Sequence, residues 1–160
     1  MGKMLFTVFF GLVMVMAGAA GALAHHAGGV EVGDLETGSV IGQPFKELPV
    51  DLTFYALEGV GGKKVWYPPT AVLNARDRGS NPFVLKVTNE TQGEHNFSLN
   101  AGDSYAPPSS FRIDVTLKPG ETKYIGIPTS DLTYTVVGGV LNYRCKLHDA
   151  HVGGQLIIQK

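Results

Sequence analysis

The chain has 160 residues, 44 % of them hydrophobic, and a formal net charge of −1 with acidic and basic side chains interspersed. No basic cluster stands out, which argues against nucleic acid as a partner, since that would require a positive stripe or patch. A single cysteine, Cys145, leaves no intramolecular disulfide, so an apolar core has to hold the fold.

The first element is a leader. Lys3 gives a positive start, an apolar run extends from Met4 to about Ala17, and Ala22-Leu23-Ala24 forms a small-x-small cleavage site. Residues 1–24 are expected to be an export signal, which places the mature chain in the periplasm or otherwise outside the cytoplasm. Left uncleaved, the segment would be long enough to span a bilayer, roughly 20 residues; after cleavage no membrane span is expected. Losing Lys3 with the leader takes the formal charge from −1 to −2. In an oxidising compartment a lone thiol needs protection, by a metal, by burial or by an intermolecular disulfide.

Residues 25–47 are rich in glycine and poor in aromatics, and are expected to form a flexible N-terminal arm. From residue 48 to 160 the pattern is that of one packed domain. Strands are expected at 52–57, 64–73, 83–89, 95–100, 111–117, 121–127, 133–137, 141–145 and 152–159, separated by turn formers such as Gly61-Gly62, Pro107-Pro108, Pro119-Gly120 and Gly138-Gly139. Alternation sets Phe83, Leu85 and Val87 on one face, and Leu141, Tyr143 and Cys145 on another, so Cys145 is expected to point inward. Trp66 and Tyr143 are expected in the core. No stretch of the mature chain shows a capped helical period. Short, mostly antiparallel, evenly spaced strands predict an all-β Greek-key sandwich or barrel.

The chemistry gathers near the C-terminus. Cys145, His148 and His151 follow the spacing Cys-x2-His-x2-His between two expected strands, where a short loop can turn all three toward one ion. Thiolate with imidazoles suits copper or zinc better than magnesium or calcium. His95, in Gly93-Glu-His-Asn-Phe-Ser-Leu, is the best candidate for a further donor.

A turn followed by His-Asn-Phe, then Leu-Lys-Pro-Gly-Glu-Thr as a hairpin, then Tyr-x-Cys-x-x-His leading into Val-Gly-Gly-Gln-Leu, resembles the cupredoxins, the fold of the small blue copper proteins. The resemblance covers roughly residues 48–160. It implies His95, Cys145 and His148 as equatorial ligands of one copper ion, with Asn96 in support, tying the cysteine loop to the histidine strand. The ligand loop is of amicyanin length, and its spacing puts His151 where the family has an axial Met.

This departure is informative, because Met1, Met4, Met14 and Met16 all sit in the leader. The mature chain has no thioether to offer, so His151 is expected as the fourth ligand, a pattern similar to the red copper protein nitrosocyanin. Glu94 is a minor contender, since alternation turns it away from His95. A fourth imidazole favours Cu(II) and a lower reduction potential than a thioether would give.

The expected function is an exported mononuclear copper protein, an electron carrier sooner than an enzyme, serving redox partners that the sequence does not name. Alternatives are a red-copper-like enzyme or small-molecule sensor with an open copper position, and a copper carrier or storage protein. Zinc in place of copper, a Cys/His hydrolase built on Cys145, and a second metal held by His25 and His26 at the mature N-terminus are weaker readings of the same residues.

Overall fold

The computed structural model describes residues 29–100, 111–135 and 139–160. The expected signal 1–24, and His25 and His26, lie outside the described residues. In chain order the strands are β1 (Glu31–Gly33), β2 (Ser39–Val40), β3 (Gln43–Pro44), β4 (Leu52–Glu58), β5 (Lys64–Tyr67), β6 (Thr70–Asn74), β7 (Phe83–Asn89), β8 (His95–Asn100), β9 (Arg112–Leu117), β10 (Thr122–Ile127), β11 (Val140–Arg144) and β12 (Gly154–Gln159). Among the described residues one α-helix, α1 (Thr129–Thr135), lies between β10 and β11, and short 3-10 turns occupy Phe45–Glu47 and Val60–Gly62. Among the described residues no helix is long and apolar enough to cross a membrane.

These strands form an all-β sandwich. One sheet has the order β1-β10-β7-β4-β5, the other β6-β12-β11-β8-β9, and β2 with β3 makes a separate hairpin. Pairing is antiparallel except for β4 with β7 and β6 with β12. The chain changes sheet repeatedly, in the Greek-key manner. Period-2 burial follows from this layering: Leu85 and Val87 of one sheet face Phe97, Leu99, Leu141 and Leu156 of the other in a single apolar core. Each such side chain contributes about 1.5–3 kcal/mol when fully buried. Trp66 and Tyr143 belong to that core, each 1 % exposed.

Four expectations need correction. The packed fold begins well before residue 48: β1 pairs with β10, and Val40 and Phe45 are fully buried against Val84 on the outer face of the first sheet. Central strand β7 is thus covered on both sides, and glycine at 126 is required because a Cβ there would stand 2.3 Å from Val40 Cβ. The single strand expected at 64–73 is two strands in different sheets. Pro68 and Pro69, which lack N–H donors, end β5 and let the chain cross. Residues 133–135 close a helix instead of opening a strand; Pro128 precedes it, Asp131 stands in its first turn and Leu132 is buried beneath it. Finally, the turn Lys118-Pro119-Gly120-Glu121 is present, with Gly120 at φ +74°, but it carries the chain from β9 in one sheet to β10 in the other.

Candidate metal centre

Strand pairing builds the site. Strands β8 and β11 run antiparallel with Tyr143 opposite Leu99 and Arg144 opposite Ser98, so the residue after β11 arrives beside the first residues of β8. His95 shares the inward face of β8 with Phe97 and Leu99, and Cys145 continues the inward phase of Leu141 and Tyr143. The two side chains therefore meet at one end of the core. The loop 146–151 then turns back, closed by the His151 amide donating to the His148 carbonyl at 3.1 Å.

The return into β12 explains Gly153 and Gly154. A Cβ at Gly153 would lie 2.2 Å from the Tyr143 carbonyl oxygen, and one at Gly154 2.3 Å from that of Pro69. Only bare backbone fits between these groups, and that fixes where His151 stands.

Cys145 Sγ lies 3.7 Å from His95 Nδ1 and 3.6 Å from His148 Nδ1, and His151 Nδ1 lies 2.9 Å from His95 Nδ1. Ligand atoms of His95, Cys145 and His148 are all within 4.8 Å of one another, with His95 and Cys145 buried and His148 exposed. His151 is outside that mutual set yet beside His95, buried, and stacked on Trp66 with ring centroids 5.3 Å apart and planes 12° from parallel. Glu94 is exposed and outside the set.

The donor set fits a borderline or soft ion such as copper or zinc. A sulfur at about 2.3 Å and a nitrogen at about 2.0–2.1 Å from one ion stand about 3.6–3.8 Å apart at tetrahedral to trigonal angles, and two such nitrogens at a right angle about 2.9 Å apart. The observed separations match both. Without a cation, imidazole lone pairs and a thiol would face one another in a buried space, where unpaired polar atoms are costly.

Electrostatics favour neutral imidazoles. Burial pushes the His151 pKa down to about 4, with His95 adding to the effect. Burial also lowers His95, helped by His148 and Lys64. At neutral pH both rings offer a free lone pair to a metal.

The supports around the donors divide between backbone and side chains. The backbone N–H of Asn96 points at Cys145 Sγ at 3.4 Å, while its side-chain amide reaches Thr116 Oγ1 at 3.5 Å on β9. Thus the Asn96 main chain bridges the histidine strand to the cysteine, and its side chain bridges the strand to its other neighbour. Lys146 ties the loop to Asp114 on β9 at 2.6 Å. Burial raises the Asp114 carboxyl, but Lys146, Arg112 and Ser98 outweigh it and hold its pKa below the ordinary value.

Sequence reasoning missed four participants. Trp66 lies 85 residues before His151, and no local spacing could pair them. Lys146 and Asp114 meet only because β8, β9 and β11 are neighbours. Asn89 is buried in a polar knot before His95, and a signal for it exists in Asn-x-Thr-x-Gly, a pattern of local turn bonds.

No protein-family model matches the chain, and no curated protein matches it significantly. Solved structures similar to it include a reduced Cu(I) form of an amicyanin variant, 12 % identical over 71 % of this chain and 88 % of that one, with a TM-score of 0.44. Another is the Cu(I) form of a further amicyanin variant, 13 % identical over 70 % of this chain and 85 % of that one, TM-score 0.45. A third is a purple cupredoxin from Nitrosopumilus maritimus, 15 % identical over 68 % of this chain and 100 % of that one, TM-score 0.44.

Proposed function

We propose that the protein is an exported, single-domain copper protein of cupredoxin type, which binds one copper ion through His95, Cys145, His148 and His151 and carries single electrons between redox partners. The observation that carries this reading is the approach of the Cys145 thiol to the Nδ1 atoms of His95 and His148 at separations a shared ion would give, with His151 Nδ1 2.9 Å from His95 Nδ1 on the same side. Copper bound there would supply the one-electron couple.

The chain's own residues do the rest. His95 is held on a strand, and the other donors on a loop anchored by Asn96, Lys146 and the paired glycines, so the donors keep their places when the charge at the centre changes. Burial of His95, Cys145 and His151 keeps water away from three of the four donors. His148 is exposed, which offers a docked partner an imidazole at the surface.

Absorption and paramagnetic-resonance spectra of the copper-loaded mature protein test this reading. A thiolate-to-copper band that vanishes in Cys145→Ala is expected. A fully loaded protein without such a band would overturn the assignment.

A further inference from the structure

Trp66 belongs to β5 of the first sheet and His151 to the loop that leads into β12 of the second, yet their rings lie face to face, with centroids 5.3 Å apart and planes 12° from parallel. The lone pair of an imidazole nitrogen lies in the plane of its ring, so whatever fixes that plane fixes the direction in which Nδ1 donates. Here the indole lies flat behind it.

The other neighbours of His151 do less. Its amide bond to the His148 carbonyl fixes the backbone and leaves the side-chain torsions free, and the loop residues 146–150 before it are all exposed. The Val65 backbone lies near the ring, but no described group is in hydrogen-bond geometry with His151 Nε2. His95 meets the ring edge-on, at 4.5 Å between centroids and 88° between planes, as a second candidate donor to the same ion. Trp66, by contrast, is itself firmly held: it is buried, stands edge-on to Phe97 at 5.0 Å, and donates its amide to the Val152 carbonyl at 2.9 Å. Phe97 lies two residues beyond His95 on β8, so one indole braces against the strand of one donor while it orients another.

We propose that Trp66 is the positioning residue that brings His151 into the donor set: its indole face sets the plane of the imidazole, so that β5, and not the spacing of the loop alone, decides whether the centre has three donors or four. The inference rests on the reading of His151 as a ligand and adds the residue that makes it one. Trp66 acts through His151 and needs no contact with the ion.

The test compares Trp66→Leu, which removes the flat face and keeps the backbone bond to Val152, with Trp66→Phe, which keeps an aromatic face, and with Phe54→Leu, a core substitution beside Phe97 and Tyr143. In the metal-free proteins, the His151 ring protons should lie upfield of their unfolded positions in the wild type and in Phe54→Leu, and lose most of that shift in Trp66→Leu. Zinc affinity should fall about 10–100-fold in Trp66→Leu and stay near wild type in Trp66→Phe and Phe54→Leu. In the copper form, Trp66→Leu should reproduce most of the spectral change and of the rise in midpoint potential seen in His151→Ala, and the double variant should go no further than His151→Ala. Trp66→Ile is a second variant without a flat face should Trp66→Leu not fold, and a wild type whose His151 ring protons show no upfield shift overturns the proposal without any variant. So does a folded Trp66→Leu with wild-type spectrum and zinc affinity, an effect that adds in full to that of His151→Ala, or an equal effect from Phe54→Leu. An unchanged spectrum in His151→Ala would remove His151 from the ligand set and the proposal with it, whereas a changed His151→Ala beside an unchanged Trp66→Leu would overturn the proposal alone.

Discussion

His95 Nδ1 and His151 Nδ1 stand 2.9 Å apart although 56 residues separate them in the chain. His151 is held there from behind by the Trp66 ring and from the loop side by the bond between its amide and His148. An imidazole so fixed donates more strongly to Cu(II) than a thioether does. His151→Met is expected to shift the absorption of the copper protein toward blue and to raise its potential. An unchanged spectrum and potential would remove His151 from the ligand set.

Asn89 prepares the other half of that pair. Its side-chain amide donates to the carbonyls of Gly93 and Leu117 at 2.7 and 3.0 Å, and its Oδ1 accepts from the backbone and hydroxyl of Thr91. The residue is fully buried, so Asn89→Ala strands several polar groups at about 1–3 kcal/mol each, partly relieved by water. A loss of about 2–4 kcal/mol in urea unfolding is expected, with a broadened copper resonance because His95 follows Gly93 closely. A loss below about 0.5 kcal/mol would show that the knot is not structural.

The metal-free protein should be acid-sensitive in a defined window. His151 titrates near 6.5 when unfolded and is pushed down to about 4 when folded, chiefly by burial. Between those values the unfolded chain binds a proton that the folded chain refuses, so stability is full above about pH 6.5 and falls as the pH drops toward 4. At about 1.4 kcal/mol per unit, the loss is on the order of 2–3 kcal/mol, and His95 shifts in the same direction. Urea midpoints measured across this range should fall in the wild type and flatten in His151→Gln. Parallel curves would assign the sensitivity to other groups.

The N-terminal segment is expected to be integral to stability. Phe45 fills the outer face of the first sheet beside Val40 and Val84, and Phe45→Ala should cost about 3–5 kcal/mol by leaving a cavity. Gly126→Ala should destabilise the protein by pressing its methyl on Val40 and Phe45. If a chain beginning at Leu48 unfolded at the same urea concentration as the full mature protein, the segment would be an accessory after all.

What the sequence made legible was local. Alternation through Leu141, Tyr143 and Cys145 placed the thiol inward because a strand's period is the same whatever lies beside it. The loop from Cys145 to His151 could be read because its donors are close in the chain. Where the outcome depended on partners far away, reading was harder. Residues 29–47 look like an arm by composition, and only the outer face of β7 and β10 gives Val40 and Phe45 something to cover. The β-branched residues around Thr133 suggest a strand, yet the burial of Leu132 and the proline before Thr129 settle a short helix.

Near the metal centre the two sheets are sewn together: the Trp66 amide donates to the Val152 carbonyl, and the Val152 amide to that of Lys64, both at 2.9 Å. This seam joins the edge strand that carries Trp66 to the residue immediately after His151. Parting the sheets to admit or release an ion would break both bonds and expose Trp66, so fraying of the exposed 146–150 loop is the less costly way in. The rate at which an ion held at the proposed centre would enter and leave is therefore expected to be a property of the five exposed residues 146–150, separable from the stability of the sandwich beneath them.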